Sequence, residues 1–293
     1  MASVGLIDLD RTGFPNLALM KLSAWLKEQG NKTALTEPLF ANGFDEVYAS
    51  KVFSWGDVPP LPEYTDVAGS GVNLKVKLPQ AVECICPDYA LYGLDYSVGF
   101  LTRGCINHCP WCIVPEKEGP IAPAADIDEF LRHDKAVLMD NNVLACDWGL
   151  QQIEKIASLP VRVDFNQGLD ARLIGHKEAK LLAKVKWLQP IRLACDSLSM
   201  IPHVERAVRL LRWYNATPRR YSCYVLIQDD LEDALERIMY LKGIDVSPFA
   251  QPFIPPSGKE PPLIQKKMAR WVNMKACFNS ATWEEYQSKI REA

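Results

Sequence analysis

Apolar residues recur along this chain in two periods. Val4 to Ile7 form a short apolar run that reads as a strand, and from about Pro15 the leucines Leu19, Leu22 and Leu26 recur at helical spacing, with Lys21, Lys27 and Glu28 elsewhere on the surface. Pro15 marks the helix start and Gly30 its C-cap. EVYASKVF then reads as a second strand ending near Phe53, which completes a small βαβ-like unit. From Gly56 to Pro87 the chain is rich in Pro, Gly and Asp, as in DVPPLPEY and AGSG, a composition that predicts loops and a linker.

Beyond that stretch, strand-like runs alternate with helical ones: YSVGFLT, AADIDEFLRH, KAVLMD, WGLQQIEKIA, VRVDFN, HKEAKLLAKV, PIRLACD, VERAVRLLRWY, SCYVLI and DDLEDALERIMYLKG. With GIDVSPFAQPF, six strands fit. Short apolar strands spaced by amphipathic helices predict an α/β class with parallel strands and right-handed crossovers, either an open doubly wound sheet or a whole or partial barrel. Leu231, Leu235 and Ile238 share one helix face, and Val204, Val208 and Leu211 share another, which leaves Glu205, Arg206, Arg209 and Arg212 for solvent. The tail from Gly258 interleaves Lys259, Lys266, Lys267, Arg270 and Lys275 with Trp271, Phe278 and Trp283. Nucleic acid would be held by such a mixture, but a docked amphipathic helix looks the same and is the favoured reading.

Composition narrows the classes without choosing a function. The 293 residues are 48% hydrophobic and 24% charged, ordinary for a folded soluble protein, and Lys plus Arg number 33 against 36 Asp plus Glu, a net charge of −3. That balance lacks the global positive field of a nucleic-acid binder. MASVGLIDLD has no basic start and carries Asp8 and Asp10, so it does not read as a secretory signal, and no apolar run reaches spanning length. The expected location is the cytoplasm, with no membrane partner. Nine cysteines in a reducing compartment point to metal binding, catalysis or burial rather than disulfides.

Three cysteines stand out. GFLTRGCINHCPWCIVPEKEG follows the strand YSVGFLT, at the strand end where parallel α/β folds build their sites. Cys105, Cys109 and Cys112, spaced CxxxCxxC, can wrap one metal centre, and soft sulfur ligands select iron-sulfur clusters, zinc or copper(I). A cubane cluster has four irons, so three cysteine ligands leave one iron open to a substrate or cofactor. A structural zinc site would need a fourth ligand, with His108 the nearest candidate but awkwardly adjacent to Cys109. Three buried, unligated thiols form a third reading, disfavoured because RGCINHCPWC offers few apolar neighbours. Cys84, Cys86, Cys146, Cys195, Cys223 and Cys277 lack a second pair at ligand spacing and read as structural.

CINHCPWC, with an aromatic residue directly before its last cysteine, resembles the signature of the radical S-adenosylmethionine (SAM) superfamily. The flanking RGC and IVP resemble its methylthiotransferase and cobalamin-domain branches, and the likeness extends from about Tyr96 to Pro256. It implies a partial (β/α)6 barrel over residues 91–256, preceded at 1–90 by a small Rossmann-like, cobalamin-binding-like domain with its linker, and followed by a C-terminal helical tail at 257–293. It also implies that Cys105, Cys109 and Cys112 hold a 4Fe-4S cluster whose open iron is chelated by SAM. Reductive cleavage of SAM would then give a 5′-deoxyadenosyl radical for hydrogen abstraction, with flavodoxin or ferredoxin as the kind of electron donor expected.

By the same resemblance Trp111 lies near the adenine, with simple loop packing as the other reading. Asp140, Asn141 and Asn142 in LMDNN stand where the family receives the SAM amino group, although the glycines of the commonest form of that motif are missing. An Asn-rich turn capping the next helix would look the same. In VDFNQGLDARL, Arg172 suits the SAM carboxylate and Gln167 suits SAM or substrate, unless Asp170 and Arg172 simply pair. Asp196 and Ser197, ending RLACDS, suit the ribose hydroxyls. No catalytic residue beyond these is assigned.

All four histidines, His108, His133, His176 and His203, lie beyond the first domain, and the Asp-x-His-x-x-Gly cobalamin motif is missing there. A vestigial or repurposed domain is expected. The substrate is left open between a small molecule, a peptide and RNA. The alternative from another class is a non-catalytic zinc module that holds nucleic acid through the basic aromatic tail.

Overall fold

The computed structural model describes residues 1–216, 220–255 and 257–291, so Pro256, the last residue of the expected core, lies outside the described residues. Two units form: Met1–Met139 with a short segment ending at Gly258, and Asp140–Pro255 with Lys259–Ala293.

In the first unit, β1 (Ser3–Asp8), α1 (Leu17–Glu28), β2 (Lys32–Leu35), β3 (Glu46–Ser50) and β4 (Thr65–Ala68) build a parallel sheet in the order β2-β1-β3-β4. The period of two along a strand turns Val4 and Leu6 against Leu19 and Leu26 of α1, while Ile7 joins Ala41, Val47 and Ala49 in a second cluster. Asn16 caps α1 by accepting a hydrogen bond from the Leu19 amide at 3.2 Å. The expected second strand is too long. It stops at Ser50 because Lys51, only 5% exposed, turns inward and donates from Nζ to the carbonyl oxygens of Trp55 and Gly56, each at 2.8 Å. Conversely, the stretch read as loops supplies β4, a short edge strand with no apolar alternation to announce it.

The same unit continues through α2 (Gln80–Glu83), β5 (Ser97–Gly99), β6 (Thr102–Arg103), α3 (Val114–Lys117), β7 (Ala122–Pro123), α4 (Ile127–Phe130) and β8 (Lys135–Leu138). β5 and β8 pair in parallel, and β6 and β7 form a small antiparallel ladder.

The second unit contains α5 (Asp147–Ser158), β9 (Arg162–Phe165), α6 (His176–Leu182), β10 (Ile191–Ala194), α7 (Ile201–Trp213), β11 (Tyr221–Ile227), α8 (Leu231–Gly243), β12 (Ser247–Pro252), α9 (Leu263–Asn273), α10 (Lys275–Ser280) and α11 (Trp283–Arg291). β10, β11 and β12 form a parallel sheet in sequence order, and Leu169, just past β9, bridges in parallel to Leu193. The six strand-like runs expected beyond the linker therefore all occur as strands, in a mixed α/β structure with parallel sheets.

One detail differs from the pattern-based reading, and one bears out the docked-helix reading of the tail. The buried face of α8 is Ala234, Arg237, Ile238 and Leu241, with Leu231 and Leu235 only half-buried. Arg237 takes the central place, 1% exposed, because its guanidinium donates to the carbonyl oxygens of Cys195 (2.7 Å) and Leu226 (3.1 Å) and pairs with Asp233. In the tail, Trp271, Phe278 and Trp283 are all buried, with Trp271 edge-on to Phe278 and tilted against Trp283 at centroid distances of 5.0 and 5.6 Å. These aromatic rings form the tail's own core and offer no surface to nucleic acid. No helix among the described residues is long and apolar enough to cross a membrane.

Candidate metal centre

The cysteine loop is tied at its base before it carries any chemistry. Thr102 and Arg103 pair with Pro123 and Ala122, so the intervening residues leave and return to one ladder. Gly104 follows at φ +82°, and a Cβ there would lie 2.3 Å from the Pro120 carbonyl oxygen. Its amide donates to Glu118 Oε2 at 2.9 Å while Glu118 Oε1 accepts from Arg103 at 3.0 Å, and the Cys105 amide reaches the Gly119 carbonyl at 3.3 Å. The Arg103 guanidinium also lies 3.8 Å above the Phe100 ring. A turn from the Cys109 carbonyl to the Cys112 amide, at 3.0 Å, brings the last cysteine back toward α3.

Cys105 and Cys109 are half-buried and Cys112 is exposed. The backbone and side-chain amides of Asn107 point at Cys105 Sγ, at 3.4 and 3.5 Å, and hydrogen bonds to ligand sulfurs are one of the levers by which proteins tune clusters. His108 is exposed and Trp111 half-buried. Among the described residues no three His, Cys, Asp or Glu side chains close around one metal ion. That bears on a single ion, whereas a cluster takes each sulfur on a different iron. By donor chemistry, three thiols on one anchored loop fit an iron-sulfur cluster.

The remaining sequence-predicted residues lie in the second unit. Asp140 and Asn142 are buried and Asn141 is half-buried. Asn142 Nδ2 donates to Asp170 Oδ2 at 3.1 Å, and Asp170 receives Arg172 through two bonds of 2.8 Å, so these three side chains form one chain of contacts. The Asp170 to Arg172 pairing weighed from the sequence is present. Gln167 is exposed, and Ser197 shares a hydrogen bond with Ser199. Asp196 accepts from the Leu226 amide at 3.0 Å, and burial raises its carboxyl above the usual range against the pull of that amide, Arg237 and Arg172. Cys195 and Cys223 are buried, and burial pushes the Cys195 thiol up to about 12, which suits packing rather than ligation.

One polar group escaped the sequence reading. Asp164, 5% exposed, pairs with Arg192 at 3.1 Å, and Arg192 also donates to Asn166 (2.7 Å) and Tyr224 (3.2 Å). Burial raises the Asp164 carboxyl despite that arginine. The signal was available, since a charge in the middle of each of two short buried strands, VDF and IRLA, is unusual.

No family model matches the sequence, and no curated protein matches it. The fold is similar to that of the cobalamin-dependent S-adenosylmethionine radical enzyme OxsB with aqua-cobalamin and S-adenosylmethionine bound. The TM-score is 0.54 at 12% identity, covering 95% of this chain and 56% of that one. The same enzyme with aqua-cobalamin alone gives 0.52 at 12% identity, covering 98% and 56%. The chain thus spans little more than half the length of that enzyme, and at this identity the likeness is one of fold.

The loop after β1 lacks the histidine of the cobalamin motif. DLDRTG keeps the Asp and Gly spacing of the cobalamin motif, with Asp10 in place of the histidine. The carboxylate of Asp10 is spent on the chain itself, accepting from the amides of Val52 (2.5 Å) and Phe53 (3.2 Å). The buried Lys51 and its two carbonyl partners hold the same loop closed. At that position the loop after β1 therefore presents a carboxylate already bonded to its own backbone, and no imidazole.

Proposed function

We propose that this protein is a radical SAM enzyme in which Cys105, Cys109 and Cys112 hold a 4Fe-4S cluster, built on a partial (β/α)6 barrel that a small Rossmann-like domain precedes in sequence. The observation that carries this reading is the CxxxCxxC loop itself, pinned at Gly104 and Cys105, in a chain whose fold resembles that of a SAM radical enzyme. When bound, such a cluster supplies the electron for reductive cleavage of SAM to a 5′-deoxyadenosyl radical. The protein's part is placement. Arg103, Gly104 and Glu118 fix where the thiols leave the scaffold. Asp140, Asn142 and Arg172 are the residues we assign to the amino and carboxylate groups of SAM, with Trp111, Asn141, Gln167, Asp196 and Ser197 as further contacts. Asp170 orients both Asn142 and Arg172.

The test is anaerobic reconstitution with iron and sulfide. A brown protein that, once reduced, converts SAM to 5′-deoxyadenosine supports the reading, and Cys109→Ala is expected to lose both colour and product while keeping its circular dichroism spectrum. Stoichiometric zinc with no such product would sink it.

A further inference from the structure

The tail's aromatic residues are buried, but α7 presents a different basic and aromatic surface. Arg206, Arg209, Leu210 and Trp213 stand at i, i+3, i+4 and i+7, which places them on one face of the helix. Both arginines are exposed, and Trp213 is 77% exposed. Beside this stripe lies a groove of about 490 Å³. Arg206, Arg209, Arg172 and His176 line it, with the Arg172 guanidinium held by Asp170 through two bonds of 2.8 Å. The acid in the groove, Glu178, is turned to its own backbone, accepting from the Gly175 amide at 3.0 Å. Arg206 is held in place by donating to the Arg172 carbonyl oxygen at 3.0 Å.

The local charge is far from that of the whole chain. From Arg172 to Trp213 the sequence has nine Lys and Arg against three Asp and Glu, in a protein of net charge −3. Lys177 and Lys180 on α6 are exposed as well, while Arg212 on α7 donates to the carbonyl oxygens of Ile244 and Asp245 at 2.9 and 3.0 Å. We propose that this face of α7 and its groove bind single-stranded nucleic acid, with phosphates on Arg206 and Arg209 and the face of an unpaired base on Trp213. Guanidinium groups match phosphate oxygens two at a time, and base-on-aromatic stacking is indifferent to sequence. An acidic protein would answer the charges, but a protein interface also buries an apolar centre. Apart from Trp213, the exposed side chains of this face are mostly cationic. The surface belongs entirely to the second unit and serves whether or not the cysteine loop carries a cluster.

The full-length chain is titrated onto a fluorescein-labelled oligouridylate and the matching oligothymidylate, with polarisation read at low and moderate salt. Binding is expected to weaken with salt, and the doubly substituted Arg206→Ala, Arg209→Ala chain is expected to show a shallower salt dependence, by roughly 0.7 in log-log slope for each lost phosphate contact. Trp213→Ala is expected to bind about tenfold more weakly at every salt concentration. Preference for the ribo-oligomer identifies RNA as the natural source of these phosphates, and equal affinity leaves the surface a general single-strand site. These are surface positions, and a circular dichroism melt matching the parent verifies that the variants fold. Failure of the parent chain to bind either oligomer overturns the proposal, as does parental affinity in all the variants. Capture of polyglutamate in preference to both oligomers would overturn it in favour of an acidic protein.

Discussion

At Gly104 the chain adopts φ +82° and passes so close to Pro120 that a Cβ cannot be accommodated without moving backbone. Gly104→Ala is therefore expected to cost about 1–3 kcal/mol, read from denaturant unfolding, and to lower the iron bound per chain after reconstitution. An alanine variant with parental stability and full iron loading would contradict the anchoring role. Asp196 makes a pH-dependent prediction. Its folded carboxyl lies above the ordinary value of 3.8, so the native state holds a proton that the unfolded chain has released, and stability falls as pH rises through the interval above 3.8. Asp196→Asn, which can still accept from Leu226, removes this penalty. Its stability relative to the parent is expected to be greatest at neutral pH and to shrink toward pH 3.8, as equilibrium unfolding across that range would show. Among single residues, the spacing of the three cysteines was legible because position along one loop is a property of sequence. The inward turn of Lys51 and the Asp164 to Arg192 pair were not, because both depend on which groups another strand or loop brings within reach.

Among the elements, α8 shows most clearly how a tertiary partner overrides a periodic pattern. Its leucines suggested a simple apolar stripe, yet the centre of the buried face is Arg237, stabilised by two carbonyl oxygens at strand ends and by Asp233. Arg237→Ala strips those partners and is expected to destabilise the protein by about 3–5 kcal/mol, measured by chemical denaturation, because the remaining polar groups stay buried without a donor. A loss below about 1 kcal/mol would show that water replaces the guanidinium. The helices and the six strands beyond the linker were readable from their periods. β4 was not, since four residues at a sheet edge carry too little pattern, and its existence follows from the parallel ladder that β3 offers. In the tail, residue composition alone could not distinguish a ligand surface from a docked helix. Burial of Trp271, Phe278 and Trp283 decides it.

For the whole molecule, likeness of fold to a cobalamin-dependent enzyme does not carry over its cofactors as a set. The CxxxCxxC loop carries three thiols, whereas in the loop after β1 Asp10 and Lys51 tie the chain to itself. Aqua-cobalamin mixed with the purified protein is expected to separate from it on gel filtration. Co-elution of a corrin spectrum with the protein peak would reverse that conclusion.

The sequence by itself determined the α/β alternation, the parallel strands it requires and the CxxxCxxC spacing of three cysteines, because periodicity and spacing are local quantities that survive without a fold. Only the tertiary structure decided what each polar residue does. It tied Asp170 between Asn142 and Arg172, closed the Asp10 loop, buried the tail's tryptophans and left Trp213 in line with two arginines on an open helix face. The physical reason is that burial and hydrogen bonding depend on neighbours distant in sequence. A charge or an aromatic ring can be assigned to core, latch or ligand surface once those neighbours are known.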